Sequence, residues 1–524
     1  MQRIFKVPTS KIQQIERNTK ETIVYFYFRD AAYLQGANLK DTANREKYKR
    51  NESLFLFPIF FLPLHANKRH ITSSMRRHRD NYTFLTTAPI GNVIRTMAIP
   101  TIISMLVTSI YNIVDTWYVG MLNTQATAAV GIVFPLMSVI QAIAFLFGQG
   151  SGTYISRKLG AKDTNNASRM AATGFFSALT SGLLITILGL FFLRPLSIAM
   201  GSTPTILPYT EKYLGMVLLG APFMAGSIAL NNQMRFQGNA ANAMYGMMAG
   251  ALMNVLLVPL FMFVFDLGIL GCGIGTVVSQ ILAFSVLLRM SYKDDNIHLH
   301  VQDITLKWTY FKEIIRGGTP SLTRQGLASI STLLLNVAAG AYGDAAIAGM
   351  SIVTRISFVV FATIIGIGQG FQPLCGFCFG ARLFHRVREG FFYCIKLDIC
   401  ILIPIGILCF VFAEDLIDIL RHDPEVVSVG AAAIRWQVIT YPLAAVITIS
   451  NQMLQTSGQS VWANIVASAR NGLFFIPLIL LLPYIWGLQG VEMCQAVADA
   501  FSFILTVYVL TRYFRKLQQL ERQV

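Results

Sequence analysis

The sequence predicts an all-α polytopic membrane protein of twelve transmembrane helices in two pseudo-symmetric six-helix lobes. Three observations carry that expectation. Of 524 residues, 54% are hydrophobic and only 13% charged, where a soluble domain carries roughly 25% charged residues. From Ile90 onward, apolar segments long enough to cross a ~30 Å hydrocarbon core follow one another. The second set of six repeats residues of the first at a nearly constant offset.

The composition fits a surface facing lipid. Mean hydropathy is +0.55, and 40 Gly suit close helix packing. A net charge of +16 would fit nucleic acid, but the basic residues lie between apolar segments and in the first eighty residues. That placement reads as topology, with the lipid bilayer as partner and no nucleic acid. The seven Cys stand singly, apart from Cys375 and Cys378. That CxxC lacks a second ligand pair, so no metal site is expected and the cysteines read as small packing residues.

The apolar segments give spans near 93–119, 126–156, 168–193, 208–234, 241–264 and 268–290. Six more follow near 318–341, 345–379, 388–412, 428–453, 460–484 and 488–511. One set of loops holds Arg157, Lys158, Lys162, Arg169, Arg289, Lys293, Lys307, Lys312, Arg316, Arg382, Arg386 and Arg388, joined by Arg512, Arg515, Lys516 and Arg522. The opposite loops hold Arg194, Lys212 and Arg421, the last among acids. The positive-inside rule therefore puts both termini in the cytoplasm of a multi-pass cell-membrane protein. Residues 1–84 form a basic N-terminal extension, expected to be poorly ordered or an over-extended start, with the Arg76, Arg77 and Arg79 flank after Met75. The N-lobe is expected over 85–300 and the C-lobe over 301–524.

The repeat is the strongest signal. Pro100 and Pro320 each open a predicted span. Gly148-Gln149-Gly150 recurs as Gly368-Gln369-Gly370, Gly160-Ala161 as Gly380-Ala381, and Asn232-Gln233-Met234 as Asn451-Gln452-Met453. Six spans per half make the halves parallel repeats, with a site expected between them and rocking of the lobes as the motion. A channel would need filter loops or charged rings, and neither recurs.

Ionisable residues inside spans are costly and usually face a cavity or a partner. Asp115 lies in the outer half of the first span, and its repeat equivalent is Leu335. A carboxylate confined to one lobe is a candidate proton or Na⁺ site, weighed against a hydrated helix-end acid. Arg470 and Asp499 read first as an intramembrane ion pair locking helices, and second as substrate contacts. Arg355 is similar but has no partner in the sequence. Gln149 and Gln369, on Gly-rich stretches, read as packing residues before cavity ones. The Met-rich fourth and fifth spans suit a plastic apolar surface, though ordinary packing accounts for them equally.

The stretches AIPTIISMLVTSIYNIVDTWYVG, AAVGIVFP and FGQGSGTYISRKLGAKD resemble the multidrug and toxin extrusion family, bacterial branch. The second half agrees through GQGFQPLCGFCFGA, ARNGLFFIPLILLLP and GLQGVEMCQAVADAFS. The similarity runs from about Ile90 to Arg515. It implies two six-helix lobes around a cavity, and export of cationic, amphipathic compounds, small organic cations among them, driven by H⁺ or Na⁺ entry. It assigns the N-lobe cation site to Asp115, Asn254 and Thr276. Val258 departs from the Asp common one turn after that Asn, and Cys378 stands where Asn is common. The 428–453 span also lacks the acid of some Na⁺-coupled members. One carboxylate coordinates Na⁺ poorly, so H⁺ is the favoured coupling ion.

Other function classes fit less well. A flippase for a lipid-linked precursor predicts several cationic side chains in the cavity, for which Arg355 and Arg470 are the candidates. An intramembrane enzyme needs a catalytic or metal set, and the seven His lie outside the spans, in loops or the N-terminal segment. No catalytic residues, no cofactor and no enzyme activity are expected, and a monomer is the expected state.

Overall fold

The computed structural model describes residues 81–293 and 296–523, excepting the side chains of Asn112 and Ile113. The tail before residue 81, with its Arg76, Arg77 and Arg79 flank, lies outside the described residues. A short helix, α1 (Asn81–Thr87), leads into α2 (Ile90–Gly120), α3 (Thr124–Gly160), α4 (Thr164–Phe191), α5 (Leu193–Ala199) and α6 (Leu207–Phe236). Next come α7 (Ala240–Pro259), extended by a π-helical turn Leu260–Val264, and α8 (Gly268–Ser291). The second half holds α9 (Trp308–Gly340), α10 (Asp344–Gly380), α11 (Phe384–Val411), α12 (Ala413–Asp418) and α13 (Pro424–Thr456). It ends with α14 (Ser460–Ser468), a π-helical turn Ala469–Leu473, α15 (Phe475–Trp486) and α16 (Leu488–Glu521).

Counting α14 and α15 as one interrupted span, there are twelve long helices among the described residues. Eleven are long and apolar enough to cross a membrane by length and composition. The exception is α9, whose apolar run is diluted by Arg324, Gln325, Ser329, Ser331, Thr332 and Asn336. Those polar residues lie on a helix packed between lobes, so they need not meet lipid. Two details depart from the sequence reading. Pro100 and Pro320 do not open spans but sit well inside α2 and α9. Each proline's missing N–H leaves the carbonyl four residues earlier without its helical donor, which membrane helices tolerate where they pack against neighbours. Cys400 is exposed, whereas the other six cysteines are buried as packing residues.

Each half folds on itself. In the N-lobe α6 packs against α3, α4 and α8, and α7 against α2 and α8; in the C-lobe α13 packs against α10, α11 and α16. The repeat extends to backbone strain. Lys162 and Arg382 occupy equivalent turns and both adopt φ of 60°, a left-handed value that side-chain-bearing residues rarely hold. Gly238 and Gly458 pair likewise, at φ of 93° and 79°.

The lobes exchange partners: α2 lies against α10, and α3 against α9. Contact is closest in the halves nearer the basic loops. There a Cβ on Gly150 would fall on the backbone of Ile314, and one on Gly318 on the Leu146 carbonyl. A Cβ on Gly370 would strike the Ala98 backbone. Further along the same helices, Gly131 and Gly326 have no atom within 4 Å of a Cβ position.

Candidate functional site

Asp115 sits near the end of α2 remote from the basic loops, half-buried on the N-lobe side. Tyr111, Tyr118, Tyr213 and Cys272 stand close enough to feel its charge. The Asn254 side chain of α7 lies close enough to influence the carboxylate, and its Nδ2 donates to Thr276 Oγ1 of α8 at 3.4 Å. Thr276 in turn donates to the Cys272 carbonyl at 3.0 Å. Three helices thus bring Asp115, Asn254 and Thr276 into one cluster.

The cluster is incompletely satisfied. Asp115 Oδ1 and Asn254 Oδ1 are both buried with no hydrogen-bond partner, and buried polar atoms are rarely left so. Both are acceptors, so the missing partner is a donor or a cation. Val258, one turn after Asn254, is fully buried. It lies so close to Gly275 that a Cβ there would come within 2.9 Å of it. Its side chain therefore closes the position with hydrocarbon. The repeat equivalent of Asp115, Leu335, is a buried core residue of the C-lobe.

Gln149 and Gln369 do more than pack. Gln149 Nε2 donates to Asn232 Oδ1 at 2.9 Å, and its Oε1 accepts from Gln372 of the other lobe at 3.2 Å. Arg235 donates to Gln369 across the seam and to Asn232 Oδ1 at 2.6 Å. On the basic side of this amide network, Arg157 pairs with Glu313 at 3.3 Å. Read first as packing residues, both glutamines make hydrogen bonds across the seam. Arg355 has no such part: it is exposed and makes no ion pair or hydrogen bond to a described residue.

Arg470 and Asp499 form the expected pair, Nε to Oδ1 at 2.7 Å. Gln495 Nε2 donates to the same oxygen at 2.8 Å, and Thr440 donates to Oδ2 at 3.4 Å. The guanidinium lies 4.0 Å from the centre of the Phe361 ring, a cation–π distance. The pair sits at the π-helical turn before α15, where widened backbone aims Arg470 inward. It borders a C-lobe cavity of about 250 Å³. A wider groove of about 490 Å³ between α9 and α15 is lined mainly by apolar residues and holds no charged group.

The sequence reading passed over several buried or half-buried ionisable residues. Arg235 at the end of α6 looked like a loop flank. Arg324 in α9 was hidden by the polarity of its helix. Glu492 and Asp398 lie inside α16 and α11; Asp398 is fully buried and neither carboxylate oxygen has a partner. A search for every acid or base more than one turn inside a span would have found Arg324, Glu492 and Asp398. No cluster of metal-ligating residues occurs among the described residues.

Outside the membrane, Asp163 caps α4. It accepts from Asn166 and from Lys158, the latter at 2.9 Å. Those hydrogen bonds hold its carboxyl down to about 2.

A family model, MatE, matches residues 100–260 and again 320–481, once per lobe. The chain is similar to the multidrug export protein MepA of Staphylococcus haemolyticus (strain JCSC1435), 27% identical over 419 residues. That match covers 79% of this chain and 91% of the relative. MepA of Staphylococcus aureus (strain MSSA476) is 26% identical, with 81% and 94% covered. Among solved structures, a multidrug resistance MATE family transporter of the MOP superfamily in an outward-facing conformation superposes with a TM-score of 0.79. It is 23% identical and covers 84% of this chain and all of that one (100%). A MATE transporter in its straight conformation gives 0.80 at 22% identity, with 84% and 100% covered. The fold is theirs. Matched in both six-helix halves by one family model, the chain belongs to the MatE, multidrug and toxin extrusion, family of membrane transporters.

Proposed function

We propose that this chain is a cation-coupled efflux antiporter in the cell membrane, exporting cationic or amphipathic organic compounds by alternating access, with H⁺ as coupling ion. One observation carries the reading: Asp115, Asn254 and Thr276 form a polar cluster in one lobe with two buried acceptors unpartnered. A single carboxylate offers one negative charge. A proton and an organic cation therefore compete for it, and competition for one charge is what antiport requires. Entry of the ion neutralises Asp115 and weakens the hold on a cationic substrate, which then leaves.

Na⁺ is the weaker candidate. Hard cations need several oxygen ligands, and this cluster supplies three side chains while Val258 fills the neighbouring position. The form described is closed along the basic halves of α2, α3, α9 and α10. With the basic loops taken as cytoplasmic, both termini lie inside and the cleft faces outward, the state that takes up the coupling ion. The multidrug export names of the relatives support small organic substrates. Those relatives lend no support to a flippase.

The test is ethidium efflux from loaded, efflux-deficient cells, wild type against Asp115→Asn, with ΔpH and the Na⁺ gradient collapsed separately. Wild-type efflux should stop on loss of ΔpH and be absent in the variant. Efflux that follows Na⁺ instead would overturn the choice of ion. Undiminished efflux by Asp115→Asn would overturn the site.

A further inference from the structure

Arg324 differs from the other buried cations of the C-lobe. It projects from α9 into the cavity of about 250 Å³ enclosed by α9, α10, α13 and the α14–α15 junction. Arg470 also faces this cavity, but Asp499 neutralises it. Arg324 has no acid partner. Of its five N–H donors, one is used on Asn451 Oδ1 at 3.1 Å. None of the ion pairs among the described residues includes it. From the other lobe Arg235 adds a charge of the same sign, and Arg235 also lacks an acid and leaves its buried Nε unpartnered.

A half-buried guanidinium that faces a cavity without a counter-charge favours an anion there, and Arg235, of the same sign, adds to that preference. A bound anion would supply the missing charge. The cavity walls add Phe358, Phe361 and Leu335 on one side and Asn451 on the other. Apolar and aromatic surface with a few convergent donors is the composition of a small-molecule site. The free edge of a guanidinium matches the two oxygens of a carboxylate in a bidentate pair. The volume suits a head group and one ring rather than a large drug.

We infer that this C-lobe cavity is an oxyanion subsite, in which Arg324 takes the carboxylate of an aromatic or amphipathic acid while Phe358 and Phe361 hold its ring. This rests on the export reading and adds an anion-holding subsite to it. The test measures binding without any gradient, so its failure and that of the export reading are separate outcomes.

The experiment uses the full chain in phosphatidylcholine nanodiscs at pH 8, titrated with the fluorescent acid coumarin-3-carboxylate and with its uncharged ethyl ester. Wild type should bind the acid about tenfold or more tighter than the ester, as expected for a charge-assisted bidentate pair. Arg324→Gln should erase that preference, and Arg324→Lys should keep most of it. Equal binding of acid and ester by wild type, or no binding of the acid up to millimolar concentration, overturns the proposal. So does an Arg324→Gln protein that folds and still prefers the acid. If that variant does not fold, the wild-type comparison of acid with ester decides alone.

Discussion

The seam between α3 and α9 makes one prediction that can be worked through. Gly318 has no room for a methyl group, because its Cβ would fall on the Leu146 carbonyl, far inside the 3.4 Å at which ordinary contact begins. The obstacle is backbone, so no side chain can rotate away. In Gly318→Ala the two helices must part by roughly 1 Å or more in this close-packed region. Overpacking of that kind costs about 1–3 kcal/mol, and only in the state where these halves touch. The equilibrium therefore shifts away from the described form by about 5- to 150-fold. Thr153→Cys supplies a reporter, since Thr153 is fully buried and lies against Gly317 in the same seam. Alkylation of that thiol in nanodiscs, read by mass spectrometry, should accelerate by the same factor when Gly318→Ala is added. Gly326→Ala on the same helix meets no atom within 4 Å and should change nothing. Unchanged labelling would refute the argument. Labelling of Cys272 and Cys494, deep in either lobe, rising in step would refute it too, because the lobes themselves would then be unfolding.

Three further outcomes follow from the geometry. Arg470→Met strands the Asp499 carboxylate and should destabilise the protein by about 3–5 kcal/mol, most of it recovered in Arg470→Met/Asp499→Leu; thermal unfolding of all four proteins gives the coupling. Val258→Asp buries a second acid beside the Asp115 cluster and should lower Tm in K⁺ buffer, with Na⁺ restoring part of the loss; no response to Na⁺ would tell against a cation site there. Asp163→Ala should cost about 1 kcal/mol as a lost helix cap. The Asp163 carboxyl is depressed from 3.8 to about 2, so its contribution is complete above pH 4 and lost as pH falls toward 2. Stability curves of wild type and Asp163→Ala should accordingly stay parallel from pH 5 to 8 and converge below pH 3.

The spans and the two-lobe plan were legible because lipid imposes them on composition, and a duplicated chain leaves paired motifs at one offset. α9 was placed ten residues short because Lys312 and Arg316 resemble loop flanks, although the helix simply continues past the membrane edge. The Asp115, Asn254 and Thr276 cluster was named from the family resemblance, and its residues do meet. The partners of Gln149 and Gln369 were not legible: Asn232, Gln372 and Arg235 reach them from distant parts of the chain, and no local period marks such contacts. Arg324 was missed because the many polar residues of α9 masked it.

The amide network at the closed end has a thermodynamic consequence. Gln372 donates to Gln149 across the seam, a bond between neutral amides, and water offers such groups nearly equivalent bonds. Where the backbones touch, glycines leave little apolar surface to lose on parting. A latch of this kind keeps the two ends of the cycle close in energy, so that the differential affinity of one ion or one substrate molecule suffices to tip the balance. A seam sealed by leucines would be more stable and would turn over more slowly.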